Sequence, residues 1–258
     1  MFPSERKQKI VTILAETPAV KVAELSELFQ VSEVTIRRYL QELEEAGLLK
    51  RTHGGAVSIT TASFEPALIE KEEEYLEEKR TIARAALDLI SEGDTILLDA
   101  GSTTLQLARL LKTSKKQKLT VVTNALNIAW ELSFDENIDL ILTGGHLRHR
   151  TLSAVGPVAD NSLQGLYVDK VFLATNSLDV ERGLSTPNIY EAQTKQRMIK
   201  AGHEIILLAD HSKFGRISLG FVCPWTAIHR FITDAGAPAA DLARLREQGV
   251  EVIVAGRD

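Results

Sequence analysis

Residues 31–45 read Val31-Ser32-Glu33-Val34-Thr35-Ile36-Arg37-Arg38-Tyr39-Leu40-Gln41-Glu42-Leu43-Glu44-Glu45. The spacing of their apolar members decides the architecture of the N-terminal region. At roughly 100° per residue, Ile36, Leu40 and Leu43 gather within about 60° of one another and so face a core. Val34, Arg37, Arg38, Gln41 and Glu45 form the opposite, polar stripe. Ser32 stands just ahead of this helix, where its hydroxyl can accept an orphan backbone N–H of the first turn.

Upstream, a helix capped by Ser4 runs to about Glu16 with Ile10, Ile13 and Leu14 among its apolar positions, and Pro18 ends it. A second, short helix over about 22–29 presents Leu25 and Phe29, and Gln30-Val31 turns the chain into the third. Gly47 stops the third helix. Residues 48–57 then read as a two-stranded ribbon, with Gly54-Gly55 in its turn. Short helix, tight turn, capped helix and basic ribbon together predict a winged helix-turn-helix. Such a fold sets the start of its third helix in a DNA major groove. There the Arg37 fork matches guanine O6 and N7, and Val34 or Thr35 meets a thymine methyl. Candidate contacts are Ser32, Val34, Thr35, Arg37, Arg38 and Gln41 on the helix. Lys50, Arg51 and His53 of the ribbon would meet phosphates or the neighbouring minor groove. A three-helix protein–protein module with solvated arginines fits the same spacing.

The whole chain has 258 residues, 44% hydrophobic and 25% charged, which excludes a mostly disordered protein. That length suits one large domain or two unequal ones. No stretch of about 18 apolar residues occurs, so no membrane span is expected. The charged N-terminus does not read as a secretory signal, and a cytoplasmic protein is expected. Cys223 is the lone cysteine, which excludes an internal disulfide and a thiolate-built zinc site. The net charge of −5 comes from 30 basic and 35 acidic residues. Residues 1–58 carry eight of each sign, so the whole excess lies downstream. For a DNA partner the face bearing the basic groups matters more than the sum.

Residues 58–63 are small and polar, and residues 65–80 hold seven acidic groups against Lys71, Lys79 and Arg80. This composition reads as a solvated helix joining two domains. The expected division is a head over 1–58, a linker helix over 59–80 and a second domain over 81–258. After a helix from Thr81 to Ile90, short apolar strands alternate with helices. The strands are placed at Thr95–Leu98, Val121-Val122, Leu140–Leu142, Lys170–Ala174, Glu204–Ala209, Phe231–Thr233 and Val250–Val254. That alternation predicts an α/β domain with a mainly parallel sheet covered on both faces.

The first three strands run into small polar clusters: Asp99-Ala100-Gly101-Ser102-Thr103-Thr104, Thr123-Asn124 and Thr143-Gly144-Gly145. In the first, backbone N–H groups and the positive end of a helix point at one spot, and a phosphate fits there. A plainly capped helix start fits equally. Strand ends on one sheet edge are where ligands collect. His146, His149 and His211 lack metal-ligand spacing, so neither a metal nor another cofactor is expected.

Residues 31–38, with Leu40, Leu43, Glu44, Gly47-Leu48-Leu49 and Arg51-Thr52-His53-Gly54-Gly55-Ala56, resemble the DNA-binding signature of the DeoR family of bacterial repressors. The match spans residues 5–57 and departs at Tyr39, where the family usually has an aspartate. From about Lys79 to Thr233 the chain resembles that family's sensor domain, which is similar in fold to ribose-5-phosphate isomerases. This likeness is carried by residues 99–104, Thr123-Asn124, Leu142-Thr143-Gly144-Gly145, Gly183-Leu184-Ser185-Thr186-Pro187, Glu191-Ala192 with Lys195, and Ala209-Asp210-His211-Ser212-Lys213-Phe214-Gly215.

The resemblance implies a DNA-binding transcriptional repressor of a sugar-metabolism operon, not an enzyme. It would hold double-stranded operator DNA as a homodimer or homotetramer, under the control of a phosphorylated sugar. The implied effector set is Asp99, Gly101, Ser102, Thr103 and Thr104 around the phosphate, Thr123, Asn124, Gly144 and Gly145 as a second wall, and Lys195 and Lys213. The acidic helix would connect the site to the wing and move. Lys195 also suits a surface ion pair with Glu191, four residues before it, and Asp210 suits a turn cap. The alternative is a sugar-phosphate isomerase with a DNA-binding appendage, whose chemistry needs a carboxylate to move a proton. The related isomerases carry an acidic cluster where this chain has Ala174-Thr175-Asn176-Ser177-Leu178-Asp179, leaving Asp179 alone. Activation instead of repression is a third reading.

Overall fold

A computed structural model describes residues 3–17, 19–45, 48–57, 68–114, 116 and 118–256. The chain divides into two compact units, Met1–Phe64 and Glu65–Asp258. The first contains α1 (Pro3–Glu16), β1 (Ala19–Lys21), α2 (Val22–Phe29), α3 (Glu33–Glu45), β2 (Lys50–Thr52) and β3 (Gly55–Val57). Helices α2 and α3 fall where the periodicity places them. Helix α1 begins at Pro3, ahead of the expected cap, so Ser4 lies inside it, while Pro18 and Gly47 lie outside the described residues. The three helices close over Ile10, Leu14, Leu25, Phe29, Ile36, Leu40 and Leu43. Tyr39 joins this core and accepts a hydrogen bond from Arg6 Nη1 at 3.4 Å.

The wing is a three-stranded sheet in the order β1-β3-β2, one strand more than the ribbon predicted. The turn falls at His53-Gly54, and Gly55 sits within β3 opposite Lys21. A Cβ on Gly55 would land on the carbonyl oxygen of Val20. Glycine is needed here for the close approach of β1.

The second unit runs α4 (Leu68–Glu73), α5 (Leu76–Asp88), β4 (Thr95–Leu98), α6 (Ser102–Thr113), β5 (Leu119–Thr123), α7 (Leu126–Leu132) and β6 (Ile138–Leu142). It continues with β7 (His146–Arg148), β8 (Ser153–Val155), α8 (Pro157–Leu163), β9 (Val168–Ala174), β10 (Ser177–Asp179), β11 (Gly183–Thr186) and α9 (Ile189–Ala201). Then follow β12 (Gly202–Leu208), β13 (Gly220–Cys223), β14 (Arg230–Asp234), α10 (Ala239–Glu247) and β15 (Glu251–Ala255). Seven strands form one parallel sheet in the order β15-β14-β12-β9-β4-β5-β6. Its central strands are apolar on both sides, as burial on both faces requires, while the edge strands β6 and β15 are partly exposed. Ile96 and Leu98 of β4 pack with α5, α6 and α7, while Leu97 faces the core built by α8, α9 and α10. Two small antiparallel sheets, β7-β8 and β10-β11-β13, complete the unit. Cys223, in β13, is buried, and burial pushes its thiol up to about 12.

The order of strands fixes where a ligand belongs. From β4 the chain winds outward through β5 and β6, returns to lay β9 on the other side of β4, and winds the opposite way through β12, β14 and β15. The crevice at the C-terminal ends of β4 and β9 is therefore the topological switch point, where open α/β sheets bind ligands.

The stretch expected as one solvated helix over 65–80 is instead broken. Helix α4 ends at Glu73, and Tyr75 takes φ 52° and ψ 42° before α5 begins. A left-handed backbone at a residue with a side chain costs about 1–2 kcal/mol, and Lys79, within the stretch read as solvated, is almost fully buried. Tertiary contacts, not the local charge pattern, set this bend.

Gly55→Ala should cost the head roughly 1–3 kcal/mol through forced overpacking. Both tryptophans, Trp130 and Trp225, belong to the second unit. The far-ultraviolet circular dichroism of the variant should therefore lose part of its signal at lower urea, while the tryptophan fluorescence transition stays in place.

Candidate functional site

In the head, the spacing-derived stripe is a real surface. Ser32, Val34, Arg37, Arg38, Gln41 and His53 are exposed, and Thr35, Lys50 and Arg51 are half-buried. Val34 is 73% exposed, an apolar side chain with no place in the core. Ser32 caps α3: its hydroxyl accepts the Thr35 N–H at 3.3 Å and lies 3.0 Å from Thr35 Oγ1. Arg37 Nη2 rests on Glu33 at 2.6 Å, Arg38 Nε lies 3.7 Å from Glu42, and Gln41 donates to Glu45 at 3.1 Å. Exposed pairs of this kind are worth about 0–1 kcal/mol, so a base edge or phosphate displaces them easily. Tyr39, the departure from the family pattern, points into the core and off this surface.

In the second unit, residues 99–104 leave β4 at the switch point and enter α6. Gly101 has extended backbone and precedes a first turn that no side chain caps. The hydroxyls of Ser102 and Thr103 make no hydrogen bond among the described residues. A Cβ on Gly101 would lie 2.5 Å from that of Ala174 and 3.1 Å from Thr104 Oγ1, so the turn hugs the end of β9.

Three of the expected effector residues turn their side chains inward. Thr104 Oγ1 donates to the carbonyls of Asp99 (2.7 Å) and Gly101 (3.0 Å). Thr123 Oγ1 donates to the Leu98 carbonyl at 2.7 Å and accepts the Ala125 N–H. Asn124 Oδ1 accepts the Ala100 N–H at 3.1 Å, and its Nδ2 donates to the Ala154 carbonyl at 3.0 Å. These groups hold the turn in shape. Gly144 and Gly145 both have positive φ, and the backbone at Gly145 lies against Val155 and Ala159.

Lys195 is 1% exposed, and its first partner is Asp99, with an ion pair and a hydrogen bond to that carboxylate. It also donates to the Ala174 carbonyl at 3.0 Å and lies 3.6 Å from Glu191. The surface pair with Glu191 is thus replaced by a buried cluster, extended on its outer side by Arg148, which pairs with Glu191 Oε2. Burial works against the Lys195 ammonium, but Asp99 and Glu191 more than offset it and hold its pKa above the ordinary value. Burial raises the Asp99 carboxyl, against the pull of Lys195 and the Ala174 N–H. Asp99 Oδ2 receives both of those groups, while Oδ1 is buried without a partner among the described residues.

The loop after β12 carries Asp210 and Lys213. Asp210 caps it by accepting the Ser212 N–H at 3.0 Å, as one sequence reading expected. Burial opposes the Asp210 charge, yet Lys213, the Ser212 hydrogen bonds and Lys79 bring its pKa below the usual carboxylate value. Lys213 Nζ lies 3.5 Å from Asp210 and donates to Ser212 Oγ at 2.9 Å. Asp179, the one acid in the segment 174–179, accepts the N–H groups of Glu181 and Arg182 at the β10–β11 turn. Sequence reasoning missed Arg148 and Lys79 altogether, because neither has a partner at helical or strand spacing.

A winged helix-turn-helix followed by a doubly wound α/β unit with an uncapped helix N-terminus at its switch point is the build of a DNA-binding regulator. The chain belongs to the DeoR family. Residues 6–62 match the DeoR-like helix-turn-helix domain and residues 74–235 the DeoR C terminal sensor domain. It is 41% identical over 253 residues to the HTH-type transcriptional regulator GlpR of Haloferax volcanii, covering 98% of each chain. It is 38% identical over 233 residues to the transcriptional repressor AccR of Agrobacterium fabrum, covering 90% of each. Among solved structures it is similar to a D-ribose-5-phosphate isomerase, at 17% identity and a TM-score of 0.40 over 54% of each chain. The protein is a DNA-binding transcriptional regulator. No helix among its described residues is long and apolar enough to cross a membrane.

Lys195→Met leaves Asp99 buried without its cation and should destabilise the second unit by about 3–5 kcal/mol. Adding Asp99→Asn removes the stranded charge, and the double variant should recover at least half of that loss. Urea denaturation followed by tryptophan fluorescence measures both.

Proposed function

We propose that this chain is a repressor of a sugar-metabolism operon, released or retained on its operator by a phosphorylated sugar. The reading rests most on the first turn of α6. Its N–H groups carry no side-chain cap, Gly101 lets the turn sit against the end of β9, and it lies at the switch point of the sheet. An uncapped helix start is a ready-made phosphate site, because unpaired donors and the helix dipole act together. Ser102 and Thr103 add hydroxyl donors, and the backbone around Gly144, Gly145 and Lys213 supplies further walls. Thr104, Thr123, Asn124, Asp99 and Lys195 act from behind by holding that turn. Repression, in place of activation, accords with the relative named as a repressor.

Two copies would present two α3 helices to half-sites about one helical turn apart, as helix-turn-helix dimers do. The sugar phosphate must favour one arrangement of the two heads over the other, with a coupling of about 1–3 kcal/mol.

A thermal-shift screen with glycerol, fructose, tagatose, galactitol and hexosamine phosphates, each beside its unphosphorylated parent, tests the sensing half. At least one phosphate ester should raise the melting temperature while its parent alcohol or sugar does not, and Gly101→Ala should weaken that shift at least tenfold in ligand concentration. A chain indifferent to every ester, or equally responsive to the parents, overturns the reading. Independently, Arg37→Ala should cost about 1–3 kcal/mol in specific operator binding and leave the thermal shift unchanged.

A further inference from the structure

Residues 68–79 are the first described residues after the stretch that joins the two units. They are fastened to the second unit at three separate places. The Leu68 N–H donates to the carbonyl of Arg150 at 2.8 Å, in the β7–β8 hairpin that follows Gly145. Glu72 pairs with Arg109 at 3.1 Å, and Arg109 belongs to α6, the helix that begins with the uncapped turn. The third fastening is the bend itself. The Lys79 ammonium donates to the carbonyls of Lys71, in the last turn of α4, and of Glu74, just beyond it. The ring of Tyr75, in its left-handed conformation, meets the His211 imidazole edge-on with centroids 4.8 Å apart. His211 is itself held by Asp234, through Nδ1 at 2.8 Å and the backbone N–H at 2.7 Å. Asp210 and Lys213 both act electrostatically on Lys79, with opposite sign.

Each anchor thus belongs to an element that carries or directly follows a candidate effector residue: α6 with Ser102 and Thr103, the hairpin immediately after Gly144-Gly145, and the loop with Lys213. We infer that the α4–α5 elbow, closed by Lys79 and latched by the Tyr75 ring onto His211 of the loop His211–Lys213, is the element through which occupancy of the sensor site acts on the segment leading to the head. Lys79, Tyr75 and His211 are positioning residues in this scheme. Tyr75 meets His211, Lys79 holds the elbow that presents Tyr75, and the expected effector set includes none of them. The inference rests on the sensing role proposed above. A ligand anion that draws Lys213 away from Asp210 changes the charge facing Lys79 and with it the hold on the last carbonyls of α4.

Hydrogen–deuterium exchange of the full-length protein, read on peptides covering 68–80 and 100–106, tests this without knowledge of the sugar. His211→Ala removes only the outer half of the latch. It should speed exchange across 68–80 at least fivefold while 100–106 exchanges as in the wild type. Lys79→Gln should do the same and Lys79→Arg should restore much of the protection, so that a misfolded His211 variant does not decide the matter. Unchanged exchange over 68–80 in folded His211→Ala or Lys79→Gln overturns the latch. With 100 mM inorganic phosphate as the probe, the wild type should change its exchange in both peptides, and Lys213→Met in 100–106 alone. Phosphate protection confined to 100–106 in the wild type sinks the coupling and leaves the phosphate site standing. Protection in neither peptide counts against the site, while the His211 and Lys79 variants still decide the latch.

Discussion

A lysine ammonium with almost no solvent contact must find fixed negative charge or lose its proton, because water no longer stabilises it. Lys195 meets that demand with Asp99, and the geometry of the sensor site follows. Asp99 immediately follows β4, Ala174 is where β9 ends, and Lys195 projects from α9. One carboxylate oxygen gathers the Lys195 ammonium and the Ala174 N–H, while the ammonium returns a bond to the Ala174 carbonyl. Three elements distant in sequence are thereby pinned at the point where the sheet reverses its winding, and Gly101 is held against Ala174 two residues beyond the pin.

The charges around the crevice are largely spent on one another. Lys195 answers Asp99 and Glu191, Arg148 answers Glu191, and Lys213 answers Asp210. Under the proposed function, the partners left for a phosphate are the backbone N–H groups at the start of α6 and the hydroxyls of Ser102 and Thr103, which bond nothing among the described residues. The head is organised differently: its exposed arginines and a glutamine rest on neighbouring glutamates across weak, solvent-screened pairs that exchange readily.

Much of the fold was legible in the sequence because its signals are local. The central strands of the parallel sheet are buried over most of their length and hence largely apolar there, and α2 and α3 carry a clear helical period with Ser32 at the cap. The antiparallel pieces were not legible. Strands β7, β8, β10 and β11 are three or four residues long and rich in small or polar side chains, and β1 is a strand only because Gly55 lets it lie against β3. The break at Tyr75 was hidden for a related reason: an acidic run looks solvated, and the contacts that bend it come from Lys79 and from His211, far along the chain. At the site, residue types were legible and their roles were not. Threonine and asparagine at strand ends announce a cradle, but only the structure separates Ser102 and Thr103, with unengaged hydroxyls, from Thr104, Thr123 and Asn124, which brace it. Glu191 was visible as the local partner of Lys195, whereas Asp99 lies 96 residues away.

Cys223 carries a practical consequence. A reagent that alkylates or oxidises sulfur attacks the thiolate, and burial keeps this one protonated far above neutral pH. Any cysteine introduced on the surface would therefore be the sole fast-reacting sulfur in the molecule. Paired fluorophores or spin labels, one on α3 and one on α10, can then be installed without first deleting the native residue, and the separation of the two units becomes a quantity that spectroscopy can follow in solution.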